Sequence, residues 1–283
     1  ALLLVHAMVG YVELGTDSWI SKITGTIMNS PANGLLLFVY TSGLMFVLRF
    51  FAGPIVERIS PLGLLAASAL FGAVGLTLLG NAQGGLRCVI AATVYGIGKT
   101  FLWPTMLAVV SEQFPKGGAI TIGAAGGVGM LAAGLLGGPG IGFLQDQNAS
   151  ANLRESSAAV YDRYKAPKEN EFLWMKTFGL DGSKVGVLED GGKEAQRALD
   201  LMQRQNAKPD AITAQKKLVD WWTTSAAPDA AADKPLVEAA SLFGGRQALK
   251  LTAFGPATKL ACYALLLAWF STRGGYKARG MHH

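Results

Sequence analysis

The sequence predicts an all-α membrane protein that carries an extramembrane insertion before its last helix. The chain has 283 residues, of which 51% are hydrophobic and 36 are glycine, and its mean hydropathy is +0.32. Charge is unevenly distributed: residues 146–250 hold 15 basic and 15 acidic residues, whereas the other 178 residues hold 10 and 4. A soluble domain is about one-quarter charged, so the larger part of the chain has the composition of a membrane protein.

Six apolar runs approach the ~20 residues that a transmembrane helix needs. Only helices and closed barrels satisfy the backbone in lipid, and the alternating pattern of barrel strands is absent. Links as short as NSPAN disfavour the alternative of core helices in a soluble protein. We expect transmembrane helices one to five within residues 1–145, an insertion over 146–250, and the last helix with a tail over 251–283. The apolar runs are 2–27, 34–55, 62–80, 89–110, 120–144 and 251–270.

The Lys and Arg residues of the short loops predict the orientation, because basic loops stay in the cytoplasm. The more basic side is expected to be cytoplasmic, together with residue 1 and the C-terminus, which places the insertion outside. This describes a multi-pass protein of the cell inner (plasma) membrane. The opening ALLLVHAM lacks an initiator Met and a charged leader region, so we expect a chain cut within a helix. The cytoplasmic residues are Arg58, Lys116, Arg273, Lys277 and Arg279, against Lys22 and Arg87 on the other side.

The first apolar run contains two carboxylates, Glu13 and Asp17. A charge at the bilayer centre costs about 2.5–3.5 kcal/mol on insertion scales, so such groups usually face a protein interior or a watery cavity. Their i,i+4 spacing places them on one helical face, and Trp19 follows. A carboxylate that accepts hydroxyl hydrogen bonds beside an indole ring suits a sugar or polyol. Glu13 is thus a candidate substrate and proton carboxylate, Asp17 a substrate contact and Trp19 a stacking wall; alternatively, Asp17 caps a broken helix or pairs with Lys22.

A lysine also lies within the fourth apolar run. Lys99 precedes Trp103 by one helical turn, and Pro104 is expected to kink the helix by freeing a backbone carbonyl. We expect Lys99 and Trp103 to contact the substrate; the alternative is that Lys99 forms a structural salt bridge to Glu13 or to a part of the protein outside this chain. Lys259 is expected near the outer interface, and His6 is expected to be a core histidine more readily than a proton relay.

The glycine-rich run GAAGGVGMLAAGLLGGPGIG shows small-residue pairs at i,i+4. This spacing lets membrane helices approach closely, and a dinucleotide-binding reading would require a preceding strand. We expect helix packing through the pairs Gly123/Gly127, Gly134/Gly138 and Gly138/Gly142.

The segment RFFAGPIVERISPLGLL carries a recognisable pattern. Arg49, Gly53, Pro54, Glu57 and Arg58 resemble the loop motif of the major facilitator superfamily, in its copy between the eighth and ninth helices. That pattern runs R-x-x-x-G-P-x-x-[D/E]-R-x-G, and this sequence departs from it at Ser60, where glycine is usual. The resemblance implies that Arg49, Gly53, Glu57 and Arg58 belong to a cytoplasmic gate.

Further segments support the resemblance. Residues 95–119 are similar to the tenth helix and its following loop, residues 137–146 to the outer end of the eleventh, and ELGTDSW at 13–19 to the seventh helix of sugar and polyol symporters. The resemblance implies six helices of a major-facilitator-type bundle, the C-terminal half of a twelve-helix transporter. The N-terminal half, in the same or a separate chain, would then be a partner, and alternating access the mechanism.

The insertion shows no catalytic pattern, because it contains no His or Cys. It is expected to form a small helical cap or to be partly disordered. The function that we expect is secondary transport of a small polar solute, sugar-like or polyol-like and coupled to protons. The rival is a membrane receptor or scaffold that acts through the insertion. We expect no enzymatic activity, cofactor, metal or nucleic-acid partner; the expected partners are the solute, membrane lipid and the other half.

Overall fold

The computed structural model describes residues 2–278, so Arg279 and both chain ends invoked for orientation lie outside the described residues. The chain divides into two compact units: the first runs to Gly142 and resumes at Arg246, and the second is Phe143–Gly245. The elements of the chain, in order, are α1 Leu2–Ile27, α2 Pro31–Arg49, α3 Ala52–Asn81, α4 Gly85–Lys99, α5 Leu102–Gln113, α6 Gly118–Ala132, α7 Gly138–Ser156, α8 Ala158–Tyr164, β1 Asn170–Phe172, β2 Met175–Thr177, α9 Gly182–Asp190, α10 Lys193–Arg204, α11 Pro209–Trp221, α12 Ala230–Thr252 and α13 Phe254–Ser271.

The described chain is predominantly helical and has the helices of a multi-pass membrane protein. Five helical stretches are long and apolar enough to cross a membrane, one fewer than the sequence predicts. The first predicted run forms α1 over the expected 26 residues but is not among the five, because His6, Glu13 and Asp17 interrupt its apolar sequence. The five stretches are Pro31–Arg49, Ala52–Asn81, Gly85–Gln113, Pro115–Ser156 and Pro209–Ser271.

Local sequence explains where several of these helices begin and break. Ser30 caps α2 by accepting a hydrogen bond from the backbone N–H of Asn33, and Pro31 occupies the first turn, where its missing N–H costs nothing. Helix α3 is interrupted at Ser60, whose φ of 65° and ψ of 161° are non-helical, immediately before Pro61. Such a positive φ is uncommon for a residue with a side chain. The helix therefore changes direction at this position.

Helix α1 is central in the first unit, where it packs against α2, α4, α5, α6 and α13. Its backbone lies against α6 and the following π-helical turn, since Gly10 meets Gly129 and Gly15 meets Gly137. The glycine-rich run therefore packs against α1, in part through residues that the sequence did not single out. Of the predicted pairs, Gly138 and Gly142 contact α1, whereas Gly123, Gly127 and Gly134 have open space where a side chain would lie.

The second unit folds around its own apolar core, which includes Leu153, Val160, Tyr164, Leu188 and Val237. Its described residues are mainly helical, with one antiparallel hairpin of β1 and β2 that the sequence analysis did not predict. Ser157 caps α8 and Asp181 caps α9 through backbone N–H groups, as these residue types commonly do. The described residues of this unit are thus folded and mainly helical.

A buried ion pair holds α8 against the start of α12. Arg163 contacts Asp233 at 2.9 Å and Asp229 at 2.6 Å; the Asp233 side chain is 3% exposed, whereas that of Asp229 is 57% exposed. The Arg163 guanidinium therefore compensates a carboxylate that has little access to water.

We predict that Arg163→Met weakens the second unit by about 2–3 kcal/mol, because it leaves a buried carboxylate without its cation. Amide hydrogen exchange in α8 and the first half of α12 of the full-length protein measures this loss. The control is Arg197→Met, since Arg197 is 74% exposed in its ion pair with Glu194 and should change stability by less than about 1 kcal/mol. Equal effects of the two variants would contradict the assignment.

Candidate functional site

One face of α1 carries a row of ionisable side chains. His6 and Glu13 are seven residues apart and Glu13 and Asp17 four apart, so all three lie on nearly the same face at intervals of about 10 and 6 Å along the axis. His6 is completely buried and Glu13 is 4% exposed. Apolar helices thus enclose a polar stripe, and its neighbours determine what it can do.

Asp17 forms an ion pair with Lys99 of α4. The Lys99 Nζ lies 2.5 Å from Asp17 Oδ1, and the two side chains are 2% and 22% exposed. The ammonium also lies 5.6 Å from the ring centroid of Tyr95 and 5.8 Å from that of Phe38. The alternatives in which Asp17 pairs with Lys22, or Lys99 with Glu13, are not the observed pairing. Lys22 lies over Trp19 instead.

The break that Pro104 causes between α4 and α5 positions a second cation, Arg49. Pro104 has no N–H to donate to the carbonyl of Thr100 four residues earlier, and the chain leaves regular helix between α4 and α5 at that point. The Arg49 Nε donates to this Thr100 carbonyl at 3.3 Å. The expected kink is thus a break stabilised by Arg49, which places its guanidinium near the Lys99–Asp17 pair.

These groups line an open cleft of about 470 Å³. One carboxylate and two cations supply its charge, and two phenylalanines and a methionine supply apolar wall. Such a combination can hold hydroxyl or acidic groups on one side and C–H surface on the other. The lining residues are Asp17, Ser42, Met45, Phe46, Arg49, Phe50 and Lys99.

Glu13 lies in a second, closed environment. Its Oε2 atom is buried and accepts no hydrogen bond from the residues that the structure describes. Four charges act on it electrostatically, those of Lys99, Asp17, Lys259 and Arg49. A buried carboxylate oxygen without a donor is unusual in a folded protein. Glu13 Oε2 is thus a buried acceptor that no donor among the described residues satisfies.

Lys259 of α13 is completely buried, and its Nζ has no hydrogen-bond partner among the described residues. The break that the sequence predicts near Phe254–Pro256 lies at Ala253, directly before α13, so Lys259 is in the second turn of that helix. Its charge acts on both Glu13 and His6. His6 also has two buried ring nitrogens without partners, and its ring centroid lies 4.7 Å from that of Trp103.

The two tryptophans proposed as substrate contacts do not line the cleft. Trp19 donates from Nε1 to the Gly138 carbonyl at 2.8 Å, and its ring lies against Gly142. Two residues along a helix correspond to about 200° of rotation, which directs Trp19 away from Asp17. Trp103 packs on His6 and the apolar core. The structure therefore brings together Asp17 and Lys99 of the predicted set and adds Arg49.

The predicted gate residues Gly53, Glu57 and Arg58 are exposed at the beginning of α3. No ion pair or hydrogen bond of Glu57 or Arg58 side chains occurs within residues 2–278. Arg49, which the resemblance groups with them, instead lines the cleft. The sequence offered a signal for the contact of Arg49, since Pro104 identifies the Thr100 carbonyl as one that lacks a donor. The burial of Lys259 had no sequence signal beyond its place in an apolar run.

No protein-family model, curated protein or solved structure matches this chain. Within the described residues, no group of three or more His, Cys, Asp or Glu side chains is arranged to hold a metal ion. The functional conclusion therefore depends on the chain's own side chains and their surroundings.

We predict that Lys99→Met and Asp17→Asn each destabilise the first unit. The loss should be about 3 kcal/mol for Asp17→Asn, because that variant leaves the buried Lys99 ammonium without its partner. The double variant should be more stable than Lys99→Met alone, because it removes both charges together. Thermal unfolding of the purified protein in detergent, as a double-mutant cycle, measures the coupling. Additive losses would show that the pair contributes no coupling energy.

Proposed function

We propose that this chain belongs to a secondary transporter that moves a small polar solute, sugar-like or polyol-like, together with protons by alternating access. The observation that carries the proposal is the enclosure of the polar stripe of α1 by apolar helices, next to an open cleft. Charged groups at membrane depth are costly and generally belong to transport or proton pathways. A purely structural bundle would gain more from apolar residues at these positions.

In this proposal the solute binds in the cleft. Asp17 and Lys99 present a carboxylate and an ammonium at its floor, which can accept from and donate to hydroxyl groups. Phe46 and Phe50, both exposed on the cleft side of α2, cover the C–H face of the solute. Trp19, proposed for that role from the sequence, is replaced in it by these phenylalanines.

Glu13 is the proposed proton-binding group. Its oxygen is buried without a donor, and it lies one helical turn from Asp17, which lines the cleft. A proton on Glu13 would neutralise its carboxylate while the protein changes between the outward-facing and inward-facing states. This one-turn separation lets proton binding affect the solute site through α1.

Transporter architecture is supported by the resemblance to the major facilitator superfamily. Ser60 departs from the pattern where glycine is usual, and its φ of 65° is a conformation that glycine adopts more easily. The exposed Glu57 and Arg58 would form the cytoplasmic gate with elements outside this chain. The proposal therefore includes an N-terminal half as partner, an inner-membrane location and a cytoplasmic C-terminus.

We predict that the full-length protein in proteoliposomes accumulates a sugar or polyol when an inward proton gradient is imposed. A gradient of one pH unit can drive about tenfold accumulation for one proton per solute. Glu13→Gln should abolish accumulation while exchange of solute across the membrane persists. A panel of radiolabelled sugars, polyols, nucleosides and carboxylates identifies the solute.

The matched control is Glu238→Gln, which removes an exposed carboxylate of the second unit and should leave accumulation unchanged. Uptake that ignores both the gradient and Glu13→Gln would reduce Glu13 to a structural residue and leave a facilitator. If no solute is moved, and deletion of residues 146–250 abolishes the protein's cellular function, the receptor alternative replaces the transporter.

A further inference from the structure

We infer that Glu13 and Lys259 form a single proton-exchange site between α1 and α13, separate from the solute cleft, and that this site selects a proton over a metal cation. The inference rests on the proposed function and extends it. It assigns Lys259 a role that the sequence did not indicate, and it divides the ionisable residues of the stripe into two sites with different ligands.

The first step is the packing of the two helices. Gly255 lies against Val12, the neighbour of Glu13, so α13 approaches α1 closely at this level. Lys259 follows Gly255 by one helical turn and thus shares its face. Lys259 is completely buried, so its ammonium lies within the bundle on the side of α13 that packs against α1.

The second step concerns satisfaction of polar atoms. Glu13 Oε2, Lys259 Nζ and both ring nitrogens of His6 are buried without a hydrogen-bond partner among the described residues. A structural salt bridge is normally hydrogen-bonded on both sides, since burial without bonds costs more than the pair contributes. The observed arrangement is therefore poised for a change of protonation or of partner.

The third step identifies the ligand. The charged and hydroxyl groups that act on Glu13 come from α1 and from three of the helices packed against it: Asp17 on α1, Arg49 on α2, Lys99 and Tyr95 on α4, and Lys259 and Tyr263 on α13. The cations outnumber the remaining carboxylate, Asp17 is already held by Lys99, and the Lys259 ammonium is also at the site. A sodium ion would meet repulsion there, whereas a proton needs no coordination shell.

The cleft does not provide the same site. Lys259 and Glu13 are absent from its lining, which is formed by residues of α1, α2 and α4 together with Phe50. α1 contributes to both places, through Asp17 in the cleft and Glu13 in the closed site, whereas α13 contributes no residue to the cleft lining. Proton binding and solute binding are thus linked by movement of one helix rather than by a shared ligand.

The proposed cycle follows from charge balance. With Glu13 ionised, its carboxylate and the Lys259 ammonium neutralise each other. When a proton forms an O–H bond on Glu13, the Lys259 charge is left unpaired in an apolar surrounding, which favours a conformation in which water reaches it. The proton thereby shifts the balance between the two states of the transporter. Its release restores the pair.

The test compares Lys259→Gln, Glu13→Gln and the double variant in the full-length protein. Without the ammonium, Glu13 retains its proton, so Lys259→Gln should lose the roughly tenfold accumulation that one pH unit can drive, as Glu13→Gln does. Solute exchange should remain within about twofold of the unmodified protein, since the cleft is intact. Lys116→Gln, at an exposed loop position, is the control and should keep accumulation.

A stability measurement keeps the inference falsifiable if Lys259→Gln folds poorly. Glu13→Gln leaves the buried Lys259 ammonium without a counter-charge, so the double variant, which removes both charges, should unfold at a higher temperature than Glu13→Gln alone. No such rescue, or full proton-driven accumulation by Lys259→Gln, would overturn the paired site while the proposed function stands on Glu13→Gln. Accumulation driven by a sodium gradient would overturn the choice of ligand, and absence of any transport by the unmodified protein would overturn both proposals.

Discussion

The first unit depends on the burial of the polar stripe of α1, formed by His6, Glu13 and Asp17, within a bundle of apolar helices. Lys99 of α4 pairs with Asp17 of this stripe, and Lys259 of α13 is buried in the same bundle. Close approach to α1 requires small residues: Gly10 and Gly15 of α1 meet α6 and the π-helical turn after it, and Gly255 of α13 meets α1. Charge pairing and helix packing are therefore two aspects of one constraint.

Breaks in the helices place the ionisable side chains in two environments, the open cleft and the closed surroundings of Glu13 and Lys259. The missing N–H of Pro104 leaves the Thr100 carbonyl for Arg49, so a backbone defect orients a side chain that lines the cleft. The end of α12 at Thr252 and the start of α13 at Phe254 set the height at which Lys259 meets α1. An open cleft and a closed site thus lie one helical turn apart on α1, which suits a device that links two ligands.

Much of this arrangement was predictable from the sequence, but the partners of individual residues were not. Helical periodicity placed Glu13 and Asp17 on one face. The length of the apolar run gave the limits of α1, and the high charge content of residues 146–250 distinguished the insertion from the rest of the chain. The same periodicity, applied strictly, would have directed Trp19 away from Asp17. Periodicity cannot say which neighbouring helix covers a face, so the pairing of Asp17 with Lys99 and the burial of Lys259 required the tertiary structure. For the same reason, Gly138 and Gly142 were predicted correctly as packing residues, whereas Gly123, Gly127 and Gly134 were not.

The most direct measurement of the central claim is infrared difference spectroscopy of the full-length protein in lipid as the pH is changed. A protonated carboxyl group in an apolar environment has a distinct C=O stretching band, which disappears on ionisation. We predict such a band that titrates in the unmodified protein, is absent from Glu13→Gln, and no longer titrates in Lys259→Gln because the proton stays bound. A band that persists in Glu13→Gln would place the proton on another residue and contradict the account.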